Sequence, residues 1–341
     1  MKPNRAVVIV TCIGRSRGLF AALLLIATMA SCRSTDNRLE PGWGWEDEVR
    51  IPMRHCVVRS ALEPIRVFEV AHLAEWSIDY FVDFFGYRAD PKERKILITL
   101  FANEDRYLEY ARDAGGRERT PASFYMPNRN EVVIRNDDSY LFHEMFHAYY
   151  RNWIGLDCQW IDEGFAQCFE RLTHDERRGL SGIFRSPDPK LYFVTVLILF
   201  SPDLLDDAPL SWEKVVRFND DDYRQMVNEK SNPMFHFGSW ALAYFAFNHP
   251  AGDRVGRELL QGYLKRLEDG EDRWEAFRET YRISGDDDLT AMLREFYRNL
   301  EGPDHRLLRR AFHEFQRTYP SLGSITFEQL WTRIFARGKS D

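Results

Sequence analysis

Tyr140-Leu141-Phe142-His143-Glu144-Met145-Phe146-His147-Ala148-Tyr149, with Trp160-Ile161-Asp162-Glu163-Gly164-Phe165-Ala166 shortly after it, decides how this 341-residue chain reads. Histidines four apart on a helix project from one face, so both imidazoles reach a single ion. Glu144 follows the first of them and stands beside that face, where a carboxylate takes a proton from water that a metal has acidified. Leu141, Phe142, Met145 and Phe146 surround the pair with apolar side chains, which lets the helix bury and keeps the site dry. In the second stretch an acid lies near the start of the next helix, and Gly164 lets that helix approach a neighbour closely. Glu163 placed there completes a His/His/Glu set with a fourth position open for water and substrate. Asp157 and Asp162 are rival third ligands, and Asp162, at the expected helix start, is accounted for as an N-cap. No third histidine follows at the spacing of the alternative zinc motif, because Trp153 stands there.

Upstream, apolar residues recur at helical spacing over 63–85 (Val67, Val70, Ala74, Ile78, Phe81, Phe85), ended by Gly86. The β-branched run 95–101 reads as a buried strand, and a short helix over 103–113 is broken by Gly115-Gly116. Segments 123–126 and 131–135 flank Pro127-Asn128-Arg129-Asn130 as a hairpin. Ser139 caps the histidine helix, which ends near Gly155, and a second helix is expected from Asp162 to Thr173. Beyond it the chain reads as mostly helical. The apolar run 191–200 is too short to span a membrane and predicts a buried segment. Amphipathic stretches follow at 211–218, 234–248, 253–267, 272–282, 287–300 and 304–317. The Asp runs 220–222 and 286–288 lack the alternating acids and Gly of a calcium loop and read as helix caps. The fold class expected is α+β: a small sheet with the histidine helix packed on it, then a mainly helical C-terminal half.

Hydrophobic content of 44% and charged content of 29% belong to a globular chain and exclude disordered, collagenous and multi-span membrane classes. At the N-terminus a basic stretch through Arg17 precedes the apolar run 19–30 (LFAALLLIATMA), shorter than the roughly 20 residues of a permanent span. It ends in Met29-Ala30-Ser31-Cys32, which resembles the lipobox of bacterial lipoproteins, with Met29 where Leu is usual. On that reading Cys32 becomes the lipidated first residue, and an N-terminal lipid anchors the chain to a bacterial envelope membrane. Ordinary cleavage near Ala30 and an uncleaved anchor are the alternatives, and each leaves the body outside the cytoplasm. The net charge is −7, and Lys2, Arg5, Arg15 and Arg17 face no acid in the first 31 residues, so the mature chain carries −11. So acidic a surface binds phosphate poorly, which argues against nucleic acid as a partner. With Cys12 and Cys32 set aside, Cys56, Cys158 and Cys168 allow at most one disulfide and form no C-x-x-C knuckle. They read as structural or free.

H-E-x-x-H followed by W-x-x-E-G-x-A resembles the gluzincin superfamily of zinc metallopeptidases, and more closely its peptidase MA-like group of uncharacterised bacterial proteins. The likeness extends over roughly residues 57–250. It implies a zincin-like fold in which His143, His147 and Glu163 bind Zn2+ and Glu144 is the general base. It also implies a peptide or protein substrate, extended along a sheet edge that the strand at 131–135 is expected to supply. Fifteen residues separate His147 from Glu163, fewer than in the best-known gluzincins. Gln167 stands where many members carry an Asp that supports a histidine ring. Phe235-His236-Phe237-Gly238-Ser239-Trp240-Ala241-Leu242 resembles a family segment with Tyr at the position of His236. His236 is therefore the candidate donor to the oxyanion, with Tyr125 and Tyr244 behind it. The other histidines (55, 72, 174, 249, 305, 313) stand in no ligand-like spacing.

The organisation that follows is a signal peptide at 1–31, a tether at 32–56, a catalytic subdomain at 57–175 and a helical subdomain at 176–341. The expected function is zinc-dependent hydrolysis of peptide bonds in the cell envelope. Two alternatives stand beside it: a non-catalytic envelope lipoprotein using the same fold for binding or scaffolding, and hydrolysis of a non-peptide amide.

Overall fold

The computed structural model describes residues 48–87, 95–115, 123–135, 140–170, 172–175, 179–181, 187–204, 210–228, 234–300, 302–318 and 325–336. The stretch read as a signal peptide, Cys32, the stretch read as a tether as far as residue 47, and Ser139, read as a helix cap, lie outside the described residues. The chain divides into two compact units, Met1–Asp79 with Ala89–Ala148 and Tyr80–Arg88 with Tyr149–Asp341. That division falls inside the helical run carrying the two histidines, whereas the sequence places a boundary at 175.

The first unit is built on a five-stranded sheet. Its strands are β1 (Val49–Pro52), β2 (Cys56–Ser60), β3 (Ile96–Leu100), β4 (Phe124–Met126) and β5 (Glu131–Ile134), in the order β1-β2-β3-β5-β4. β1 lies within the stretch read as tether, so the sheet begins before residue 57. Helix α1 (Pro64–Phe85) connects β2 to its parallel neighbour β3, and α2 (Glu104–Gly115) precedes the β4–β5 hairpin. The hairpin is antiparallel, with Met126 opposite Glu131, and its turn closes with Asn130 at φ 51°. Asn tolerates this left-handed backbone better than most residues.

All four residues of β5 are buried, because it pairs with β3 on one flank and β4 on the other. This corrects the expected substrate edge: 131–135 is interior, and the edge on that side is β4. β5 takes the parallel place beside β3 and β4 lies outside it, an order that a linear sequence does not reveal. Side-chain alternation puts Phe124, Met126 and Val133 on one face, where they pack with Phe101, Tyr107, Tyr110 and Ala111. Glu131 is buried with its charge fully answered. Its carboxylate accepts from Arg59 Nη2 at 3.0 Å, from Tyr110 at 2.6 Å and from the Thr99 hydroxyl. Three donors meet the hydrogen-bonding demand of a carboxylate buried in a sheet interior.

The second unit is helical apart from a small hairpin of β6 (Thr173–Asp175) and β7 (Gly179–Ser181). Helix α3 (Leu141–Tyr149) passes into it as a π-helical turn, Tyr150–Ile154. Then follow α4 (Gln159–Phe169), α5 (Pro189–Phe200), α6 (Trp212–Arg217), α7 (Asp220–Asn228) and α8 (Met234–Phe247). Next come α9 (Asp253–Glu268), α10 (Arg273–Tyr281), α11 (Asp286–Asn299), α12 (His305–Thr318) and α13 (Phe327–Ala336). Asp188 caps α5 by accepting from the backbone N–H groups of Lys190 and Leu191, with Pro189 in the first turn.

α4, α5 and α8 are buried on nearly every face, so the stretch read as amphipathic at 234–248 is instead a central core helix. α9, α11 and α12 keep the expected two-faced pattern around them. Phe81, Phe84 and Phe85 of the last α1 turn pack on Phe165 and Phe169 of α4. Each such ring withdrawn from water contributes about 1.5–3 kcal/mol. The Asp runs open α7 and α11 as first-turn residues, while Asn219 provides the cap of α7. Among the described residues no helix is long and apolar enough to cross a membrane.

Candidate metal centre

α3 buries Leu141, Met145, Phe146 and Ala148 completely and leaves His143 and His147 half-buried on the remaining face. Their Nε2 atoms stand 3.0 Å apart, with the rings steeply inclined at 73°. Two nitrogens bound to one tetrahedral zinc lie roughly 3.3 Å apart, given bonds of about 2.0–2.1 Å. The pair therefore has the spacing of ligands before any ion is considered. Glu144, 6% exposed, is the next residue round the helix, and its backbone N–H bonds the Tyr140 carbonyl at 3.0 Å.

The run continues through the π-helical turn, closed by a 2.7 Å bond from Gly155 N–H to the Tyr150 carbonyl. Gly155 takes φ 66°, the left-handed conformation that ends helices and that glycine adopts without strain. α4 then starts at Gln159, three residues before the sequence expectation. Asp162 is accordingly no N-cap. It sits inside the first turn, 2% exposed, with its carboxylate on Arg151 at 2.9 Å. Glu163 follows it, also buried. The ligand-capable atoms of His143, His147 and Glu163 all lie within 4.8 Å of one another. Two imidazole nitrogens and one carboxylate oxygen are a donor set that suits zinc.

Gly164 permits the close helix approach expected of it, and the neighbour is α8. A Cβ built on Gly164 would meet the Ser239 carbonyl oxygen at 2.3 Å. That crossing puts the first turn of α8 beside Glu163, and His236 Nδ1 stands 3.6 Å from the Glu163 carboxylate. Gln167 Nε2 approaches the same ring nitrogen at 3.4 Å, so Gln167 attends His236 instead of the histidine ligand that the resemblance implies. Tyr244 is a core residue stacked on Trp240, and Tyr125 donates to Asn130 at 3.0 Å. The thiols of Cys56, Cys158 and Cys168 are buried and unbridged. Burial pushes all three upward, that of Cys158 to about 12, so they stay protonated and supply no thiolate.

Arg151 escapes a reading of the sequence. Its guanidinium spans Asp162 and Asp220, and Asp220 also accepts from Gln159. Burial opposes ionisation of Asp220, yet hydrogen bonds from Arg151 and Gln159 outweigh it and hold the carboxyl below its ordinary value. A depressed carboxyl stabilises the fold above its unfolded pKa of about 3.9 and loses that contribution as pH falls through the folded value. Urea melts of the wild-type chain and Asp220→Asn should therefore differ most near neutrality and converge in acid. Parallel stability profiles would show that this carboxylate carries no such linkage. The sequence matches no protein-family model and no curated protein.

Proposed function

We propose that this chain is a zinc-dependent, metallopeptidase-type hydrolase with a zincin-like fold, held outside the cytoplasm by a lipid on Cys32. The observation that carries the reading is the convergence of His143, His147 and Glu163 ligand atoms, with Glu144 next to the first histidine. His143, His147 and Glu163 would hold the metal. Zinc bound there supplies a Lewis acid that lowers the pKa of water to about 7 and polarises a carbonyl. Glu144 takes the proton from the attacking water and delivers it to the departing amine. His236 donates a hydrogen bond to the carbonyl oxygen as negative charge develops on it. Leu141, Met145 and Phe146 on the buried faces of the same helix anchor it in the core, which fixes the face that carries the two histidines.

The test is metal content and cleavage measured on one preparation. The purified chain is expected to bind one zinc per molecule and to cleave members of a mixed peptide pool, with a chelator abolishing the cleavage. Absence of stoichiometric zinc defeats the reading. Zinc without cleavage of any peptide transfers the site to a binding role or to another amide.

A further inference from the structure

We propose that Arg151 is a positioning residue for the third metal ligand, fixing α4 so that Glu163 is in place before metal arrives; this rests on the metal-centre reading above. Arg151 lies four residues after His147 on the same continuous run, so it extends the segment that carries both histidines. Its planar fork reaches two carboxylates on two other elements, Asp162 in the first turn of α4 and Asp220 at the start of α7. Asp162 is 2% exposed, and a carboxylate that deep is strongly unfavourable without its counter-charge. The start of α4 is therefore confined to where Arg151 meets it, and Glu163 is one residue further on.

A second tie runs from Arg151 through Asp220 to Gln159, the first residue of α4. Asp157 completes the cluster from the preceding loop. It accepts from Asp220 N–H at 2.8 Å and from Arg273 at 2.9 Å, so its bonds hold α7 and α10. Although burial disfavours the charge, Asp162 and Asp220 together hold the Arg151 guanidinium above its ordinary pKa, so the cationic side of the clamp stays charged. Metal sites need their ligands held to within about 0.5 Å, and groups that orient ligands affect affinity almost as strongly as the ligands do.

The experiment is a zinc titration of the full chain against a competing chelating dye, with urea unfolding of the metal-free protein alongside. Arg151→Met keeps most of the side-chain length and removes the fork. It is expected to weaken zinc binding roughly 10–100-fold, the range for lost orienting partners. Arg151→Lys retains a charge and should recover part of that affinity. Asp157→Asn loosens the same cluster while leaving both carboxylates of the Arg151 fork in place. It should bind zinc within about twofold of wild type whatever it does to stability. Should Arg151→Met fail to fold, Asp162→Asn removes the same tie from its α4 end and should show the same loss. Unchanged zinc affinity in folded Arg151→Met or Asp162→Asn overturns the proposal, and so does an equal loss in Asp157→Asn. A wild-type chain that binds no zinc overturns the metal centre itself, and this inference with it.

Discussion

Glu144→Gln is expected to keep its zinc and to lose hydrolysis by roughly 10²–10⁴-fold, the span that a positioned general base supplies. The substitution preserves volume and one acceptor oxygen at a position only 6% exposed, so α3 keeps its packing. The 3.0 Å backbone bond from residue 144 to the Tyr140 carbonyl does not depend on the side chain, and His143 and His147 are untouched. What disappears is the ability to accept a proton at neutral pH, because an amide is not a base. The measurement is kcat on any peptide that the wild-type chain cleaves, with zinc content determined in the same samples. Full zinc occupancy with kcat within tenfold of wild type would remove Glu144 as base. Loss of zinc would instead make Glu144 a ligand and call for a different third residue than Glu163.

Wherever the information is local, the sequence discloses it. The helix ending at Gly86 and the hairpin around Asn128–Asn130 rest on turn chemistry and periodicity within a few residues, and both appear where expected. The end of the histidine run at Gly155 rests on the same kind of signal. His143 and His147 share a face because of helix geometry alone, so their pairing is equally legible. Glu163 and Gly164 are readable through their motif, although the identity of Gly164's neighbour is not.

Three features are hidden because they depend on residues far apart in the chain. Asp162 looks like a cap until Arg151 claims its carboxylate, and that moves the start of α4 back to Gln159. The order β3-β5-β4 is a choice among sheet pairings, and no window containing only 123–135 shows which strand ends at the edge. The 234–248 stretch reads as amphipathic because His236, Ser239 and Asn248 interrupt it. In the fold Ser239 is fully buried against α4 and Phe247 stacks on Phe84, leaving almost no solvent face. Gln167 and His236 come together for the same reason: α4 and α8 cross closely, and only the crossing makes neighbours of residues so distant in sequence.

That crossing supports the second large effect. Gly164→Ala is expected to destabilise the chain by about 3 kcal/mol, at the upper end of what overpacking usually costs. Helix propensity alone argues the opposite sign, since Ala is better than Gly inside a helix by roughly 0.5–1 kcal/mol. The added methyl, however, would stand 2.3 Å from the Ser239 carbonyl oxygen, 2.7 Å from its carbon and 2.9 Å from Ala243 Cβ. Backbone cannot swing aside as a long side chain can, and α4 and α8 are both enclosed by other core residues. One helix must therefore shift bodily, and the steric term wins. The shift would reach His236, one turn before Ser239, whose ring stands 3.6 Å from Glu163. Gly262→Ala is the matched control: on α9 an added methyl would have nothing within 4 Å, and the change should be neutral to stabilising by about 0.5–1 kcal/mol. Urea unfolding of the two variants beside wild type decides the matter. If Gly164→Ala proves as stable as Gly262→Ala, the close approach of α4 to α8 is wrong, and the placement of His236 beside Glu163 falls with it.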